Sequence, residues 1–189
     1  MYIQKLPIIL ASKSPRRQEL LKLMGLDFKV MLKDVDESYP ESLLPAEIAV
    51  YIAEKKAAAF TAERPGNIVI TADTIVACKK EILGKPEDAH HAAEMLTKLS
   101  GTNHQVYTGV SIAHGEQLHS FYDVTEVFFN VLNEEQIDYY IRNYSPMDKA
   151  GAYGIQDWIG FIAVEKIIGS YTNVMGLPTD KLYKALQQL

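Results

Sequence analysis

The sequence predicts an α/β fold, with helices layered on a mixed, twisted sheet in two lobes around a cleft. Three observations point to it. Short apolar runs alternate with amphipathic helical patterns through the first half of the chain. Two long β-prone runs then follow one another, at 104–113 and 117–132, joined at His114-Gly115-Glu116 as in a hairpin. The 189 residues are 48% apolar and 23% charged, enough for one well-filled domain and too few for two large ones. Residues 1–189 are therefore read as a single domain of two lobes.

In chain order, residues 7–12 read as a short buried strand. Ser14 caps a helix that Pro15 opens and Gly25 ends, with Leu20, Leu21 and Met24 as its apolar face. A second strand follows at 28–32. Pro45 starts a helix to about residue 62, stopped by Pro65-Gly66. Residues 67–78 are strongly β-prone, and Lys79-Lys80-Glu81 reads as a hairpin turn leading to Gly84-Lys85-Pro86. A helix over 87–99 precedes the long hairpin. Asn133 caps the next helix, with Gln136 at capping-box spacing. Residues 149–155 read as irregular, 161–168 fit helix or strand, and Pro178 opens a C-terminal helix.

Composition excludes several function classes. A formal charge of −5 argues against sequence-blind duplex binding, which needs a basic surface. Cys78 is the sole cysteine, so an intrachain disulfide and a cysteine-built metal site are both ruled out. That usage fits a reducing compartment, and a cytoplasmic location is expected. No run approaches the length of about 18 apolar residues that a membrane span needs. Walker, dinucleotide-fingerprint and nucleophile-elbow motifs are all lacking.

Against this background, residues that break their local pattern stand out. Arg16 and Arg17 fall in the first turn of a helix, where the dipole disfavours cations and favours an anion such as phosphate. Ser12 and Ser14 add hydroxyl donors, although two solvated arginines would fit as well. Lys56 is in line with Ile48, Ile52 and Phe60 on an apolar helix face, so it must snorkel out or meet a negative partner. Lys55 points about 100° away. Asp73 interrupts a doubly apolar strand, where a carboxylate is paired, a structural hydrogen-bonded group, metal-bound or a general base. Lys85 in Gly84-Lys85-Pro86 could aim an ammonium at phosphate, or be ordinary turn chemistry. Asp34, Asp36 and Glu37 form an acidic cluster, either a hard-cation site or a solvated loop. His90, His91 and Glu94 read as a solvated helix face.

These segments together resemble the Maf (septum-formation) family of nucleoside triphosphate pyrophosphatases. The resemblance runs from Ser12-Lys13-Ser14-Pro15-Arg16-Arg17-Gln18-Glu19 through Ala72-Asp73-Thr74 and Gly84-Lys85-Pro86. It continues to Asp148-Lys149-Ala150-Gly151-Ala152-Tyr153-Gly154-Ile155-Gln156 and Asn173-Val174-Met175-Gly176-Leu177-Pro178. It implies a long curved mixed sheet related to the inosine triphosphate pyrophosphatases, a divalent cation (Mg2+ or Mn2+) and a possible homodimer. From composition and charge, no membrane and no obligate nucleic-acid partner are expected. The functional positions implied are Asp73, Lys56 and Lys85 in catalysis, Glu37 and Asp73 on the metal, and Ser12, Arg16, Arg17, Thr74 and Gln156 on the substrate. Thr74 and Gln156 are similar to the branch acting on dTTP and UTP, whereas the branch directed at 7-methyl-GTP differs at Thr74 and carries an acid at the position of Gln156. The expected reaction is hydrolysis of the α–β phosphoanhydride bond. A non-catalytic nucleotide- or nucleic-acid-binding regulator of septum formation is the alternative, and a phosphatase or phosphotransferase the third.

Overall fold

The computed structural model describes residues 6–189. Its elements are β1 (Ile8–Leu10), α1 (Pro15–Leu23), β2 (Phe28–Val30), α2 (Pro45–Ala58), β3 (Ile68–Cys78), β4 (Glu81–Leu83) and α3 (Ala89–Leu99). After these come β5 (Asn103–His114), β6 (Gln117–Phe129), α4 (Glu134–Tyr144), α5 (Trp158–Ala163), β7 (Val164–Ile168), α6 (Tyr171–Val174) and α7 (Thr179–Leu186). The sheet order is β2-β1-β3-β5-β6-β7, with β4 added to β3. Strand β1 pairs in parallel with β2 and β3, whereas β4 on β3 and β7 on β6 are antiparallel. The sheet is therefore mixed.

The chain divides into two compact units. The first comprises Met1–Asp73, Thr108–Asp123 and Gly176–Leu189, and the second Thr74–Tyr107 and Val124–Met175. In the first, α1 starts as expected: the Ser14 side chain accepts from the Arg17 N–H, Pro15 leads, and Gly25 ends the turn at φ +72°. Helix α2 buries Ile48, Ala49, Ile52, Ala53 and Ala57. It lies tightly on the sheet. A Cβ at Gly109 would come within 2.3 Å of the Ala49 carbonyl, and the buried Thr71 hydroxyl donates to the Ala53 carbonyl at 2.6 Å. Ile9, Phe60, Val69 and Ala113 close that core.

In the second unit, Asn133 and Gln136 form the expected reciprocal cap of α4, each side chain bonding the other's backbone N–H at 2.9 Å. His104, Phe129 and Tyr153 pack edge to face at 5.0–5.3 Å between ring centres. The ambiguous 161–168 segment divides. Gly160, whose missing Cβ would overlap the Ile155 carbonyl, permits the short turn of α5. The β-branched run from Val164 then pairs with β6 through an irregularity at Phe128/Phe129. Residues 149–155 are irregular as expected, with one short 3-10 turn (Ala150–Ala152) and Gly151 at φ +68°. The short helix α6 is a feature that the sequence reading lacks.

Candidate active site

Six of the predicted residues, Ser12, Arg16, Arg17, Glu37, Lys56 and Asp73, lie in the first unit. Asp73 ends that unit's portion of β3, and Lys56 rises from the last turn of α2. The Lys56 ammonium lies 2.7 Å from Asp73 Oδ1 and 2.9 Å from Glu37 Oε1. The Lys56 and Asp73 side chains are only 15% and 14% exposed, so water screens this pair weakly. Lys56 therefore does not snorkel; it holds two carboxylates together. The neighbouring Lys55 turns away, as helix geometry predicts. It donates to Asp36 Oδ2 at 3.0 Å and to the Ser38 carbonyl at 2.9 Å, pinning the loop that carries Glu37. The Asp36 carboxyl is held well below the usual carboxylate range by the Ser38 hydroxyl and amide, with Lys55 adding to the effect.

Arg17 is half-buried beside these groups. Its Nε donates to the Gly176 carbonyl at 2.8 Å, and its Nη1 to the Ala72 carbonyl at 2.8 Å and to Ser12 Oγ at 3.4 Å. Burial lowers the pKa of this guanidinium, opposed by the charge of Asp73 and reinforced by that of Arg16. Arg17 is thus a strut between the start of α1, the strand just before Asp73 and the Gly176 turn. The buried Ser12 hydroxyl also accepts from the Ser14 N–H at 3.2 Å, shaping the turn into α1. Arg16, next to it, is half-buried at the same helix start.

Glu37 and Asp73 direct carboxylate oxygens at a single cation position, which Lys56 fills. Two convergent hard oxygens fit Mg2+, which is held by one or two carboxylates and completes its shell with substrate phosphates and water. No group of three or more acidic, histidine or cysteine side chains gathers as a metal cage among the described residues.

The remaining predicted residues belong to the second unit. Thr74 follows Asp73 on β3 and is half-buried. Lys85 is exposed just after β4, and the adjoining Gly84 carbonyl accepts from the Gly151 N–H at 3.0 Å. That bond ties the Lys85 loop to the segment leading to Gln156. Gln156 Oε1 is buried without a hydrogen-bond partner among the described residues, as a group kept ready for a donor would be. By contrast, His90 and Glu94 are solvent-facing on α3, as read from the sequence.

Residues 7–189 match the family described as Maf-like protein. The chain belongs to that family. Among Maf-like relatives, the dTTP/UTP pyrophosphatase of Bacteroides thetaiotaomicron is 53% identical over 189 residues, covering 99% of this chain and 98% of that one. The dTTP/UTP pyrophosphatase of Cytophaga hutchinsonii is 48% identical over 188 residues, covering 100% and 86%. Among solved structures, a HAM1 protein from Coxiella burnetii aligns over 97% of this chain and 100% of its own, with a TM-score of 0.50 at 15% identity. That likeness is one of fold alone.

Proposed function

We propose that this chain hydrolyses dTTP and UTP to the nucleoside monophosphate and pyrophosphate, with a divalent cation. The observation that carries the chemistry is the Glu37–Lys56–Asp73 cluster beside Arg17, in which half-buried Lys56, Asp73 and Arg17 meet the exposed carboxylate of Glu37. The names of the close relatives support the substrate class.

Water attacks the α-phosphorus, a new P–O bond forms, and the bond to the bridging oxygen breaks as pyrophosphate leaves. Asp73 accepts the proton of the attacking water. Glu37 and Asp73 would hold the metal, which when bound polarises phosphate oxygens and offsets their growing charge. Lys56 and Arg16 neutralise the triphosphate, and Ser12 donates to a phosphate oxygen. Arg17 keeps the Asp73 end of β3 and the start of α1 in register while adding positive charge. Lys85 is assigned to the leaving pyrophosphate, Thr74 and Gln156 to the base. The Gln156 carboxamide offers an acceptor and a donor, which match the N3–H and a carbonyl of the thymine or uracil imide edge. Residues 1–189 act as one catalytic domain on this reading. A cytoplasmic setting suits a chain whose one thiol, at Cys78, is buried and free, and a homodimer is tested by sedimentation.

The deciding experiment is a nucleotide panel with product identification, run on the wild type and Asp73→Asn. Wild type should release pyrophosphate from dTTP and UTP over many turnovers. The variant should bind nucleotide, keep its fold and lose activity by on the order of a thousandfold or more. Release of orthophosphate instead, or tight binding without product, defeats the proposal, and near-normal turnover of the variant with Mg2+ removes Asp73 from its role.

A further inference from the structure

We infer that Tyr140 and Asp157 are positioning residues for base selection, acting through Gln156. The inference rests on the assignment of Gln156 to the base made above. Tyr140 lies on α4 and is fully buried. Its hydroxyl is shared by two groups of the turn that carries Gln156. It accepts from the Gly154 N–H at 3.0 Å and donates to Asp157 Oδ2 at 2.7 Å. The turn closes on itself through the Asp157 N–H, which donates to the Gly154 carbonyl at 3.0 Å. Lys149 lies 3.8 Å from the same Asp157 oxygen and 2.8 Å from Asp148 Oδ1, adding a cation beside the shared carboxylate.

Gly154 shows how little slack this arrangement has. A Cβ there would stand 2.6 Å from Asp157 Oδ2 and 3.1 Å from Gln156 Nε2. The absent side chain is the space in which the Asp157 carboxylate and the Gln156 carboxamide fold back over the backbone. The amide nitrogen of Gln156 is thereby placed against the turn while its oxygen is left buried and unmet. An unpaired buried acceptor is costly, and the turn must be rigid to keep it from rotating toward another donor. Asp157 supplies that rigidity from within the turn and Tyr140 from the separate helix α4. A fixed acceptor discriminates bases by their protonation at N3. Uracil and thymine present an N3–H donor, whereas cytosine presents a lone pair, which would face Oε1 as acceptor against acceptor. The device would therefore favour imide pyrimidines over cytosine, and it loses selectivity when the turn loosens.

The test is a double-mutant cycle on the full-length protein, with steady-state release of pyrophosphate from UTP and CTP as the readout. Gln156→Ala should lower the UTP:CTP ratio of kcat/KM by tenfold or more. Tyr140→Phe keeps the ring and removes the hydroxyl. It should lower that ratio by on the order of tenfold, the worth of one or two hydrogen bonds. The loss should fall on KM for UTP, with kcat at saturation within about twofold of wild type. Combining it with Gln156→Ala should lower the ratio no further than Gln156→Ala alone, because the two changes act on one interaction. Asp157→Asn should repeat the pattern, and stands in if Tyr140→Phe does not fold. Equal losses on UTP and CTP, or additivity with Gln156→Ala, would overturn the inference and leave Tyr140 a purely structural residue. A shift with Gln156→Ala but none with either positioning variant sinks this inference alone. An unchanged ratio in Gln156→Ala sinks the assignment of Gln156, and the inference with it.

Discussion

His104 should make the stability of the second unit fall as the medium is acidified. Its side chain is 2% exposed, with Nε2 2.7 Å from the Tyr153 hydroxyl and its ring against Phe129 and Tyr153. Its Nδ1 is buried without a partner among the described residues. The neutral ring can leave that nitrogen as a lone pair, but the imidazolium would bury an unmet N–H and a charge together. Burial accordingly lowers the pKa from 6.5 to about 4. The unfolded chain then binds this proton more readily than the folded one between those values. Stability is unaffected by this group above the unfolded pKa, is lost as pH falls through it, and levels off below the folded value. The loss is about 2 kcal/mol at about pH 5 and about 3 kcal/mol when both states are protonated. Urea unfolding followed by Trp158, the only tryptophan and part of the same unit, measures it. His104→Gln removes the titration, so the difference in stability between wild type and variant should change by about 2 kcal/mol between about pH 7.5 and pH 5. Carboxylate titrations common to both proteins cancel in that difference. A difference flat with pH would refute the argument, as would an imidazole resonance of His104 that titrates near 6.5 in the folded protein.

The two adjacent lysines should separate in kinetics. Lys56→Ala should reduce kcat/KM for dTTP by about 10²- to 10³-fold, whereas Lys55→Ala should cost less than about tenfold and show mainly as a higher Mg2+ requirement, since exposed ion pairs hold loops weakly. Steady-state assays across a Mg2+ series distinguish them. The β3–β4 turn carries Lys79 at φ +49° and Lys80 at +72°, a conformation that favours asparagine and glycine. Replacing the pair by Asn-Gly should raise stability by about 1 kcal/mol, read as a higher urea midpoint at unchanged slope. Gly109→Ala should have the opposite effect, because the added methyl meets the backbone of Ala49 and Val50. A loss of about 3 kcal/mol is expected in the same measurement.

What could be read in advance was local. The cap of α1, the reciprocal box of α4 and the run of β3 depend on neighbours a few residues away, and each formed as its sequence implied. Lys56 and Asp73 were visible because each violates the pattern of its own element, and the structure brings the two to 2.7 Å. The division of 161–168 could not be read, because the choice is made by Gly160 against Ile155 and by pairing with β6, both tertiary. From the sequence, Arg17 reads as an anion-binding or solvated arginine at a helix start. Its carbonyl partner at Gly176 is 159 residues away, and no local pattern announces such a bond. Nothing in the sequence singles out Tyr140, whose hydroxyl partners lie on a turn beyond its helix.

The Lys56 bridge also bears on how metal and nucleotide would enter. Glu37, Asp73 and Lys56 sum to one negative charge, and Arg17 beside them offsets it. A bare divalent cation arriving here would compete with an ammonium already 2.7 and 2.9 Å from the oxygens it needs. It would also leave that ammonium without its partners, at the cost of a half-buried uncompensated charge. A nucleotide arriving without metal would bring phosphate oxygens toward two carboxylates, an equally poor match. On the proposed reading, arriving together would remove both objections: phosphate oxygens would replace the carboxylates as partners of Lys56, and Glu37 and Asp73 would be free to hold the metal. If both bind there as proposed, the same ammonium would favour the pair over either alone, and by linkage each would raise the affinity for the other by the same factor.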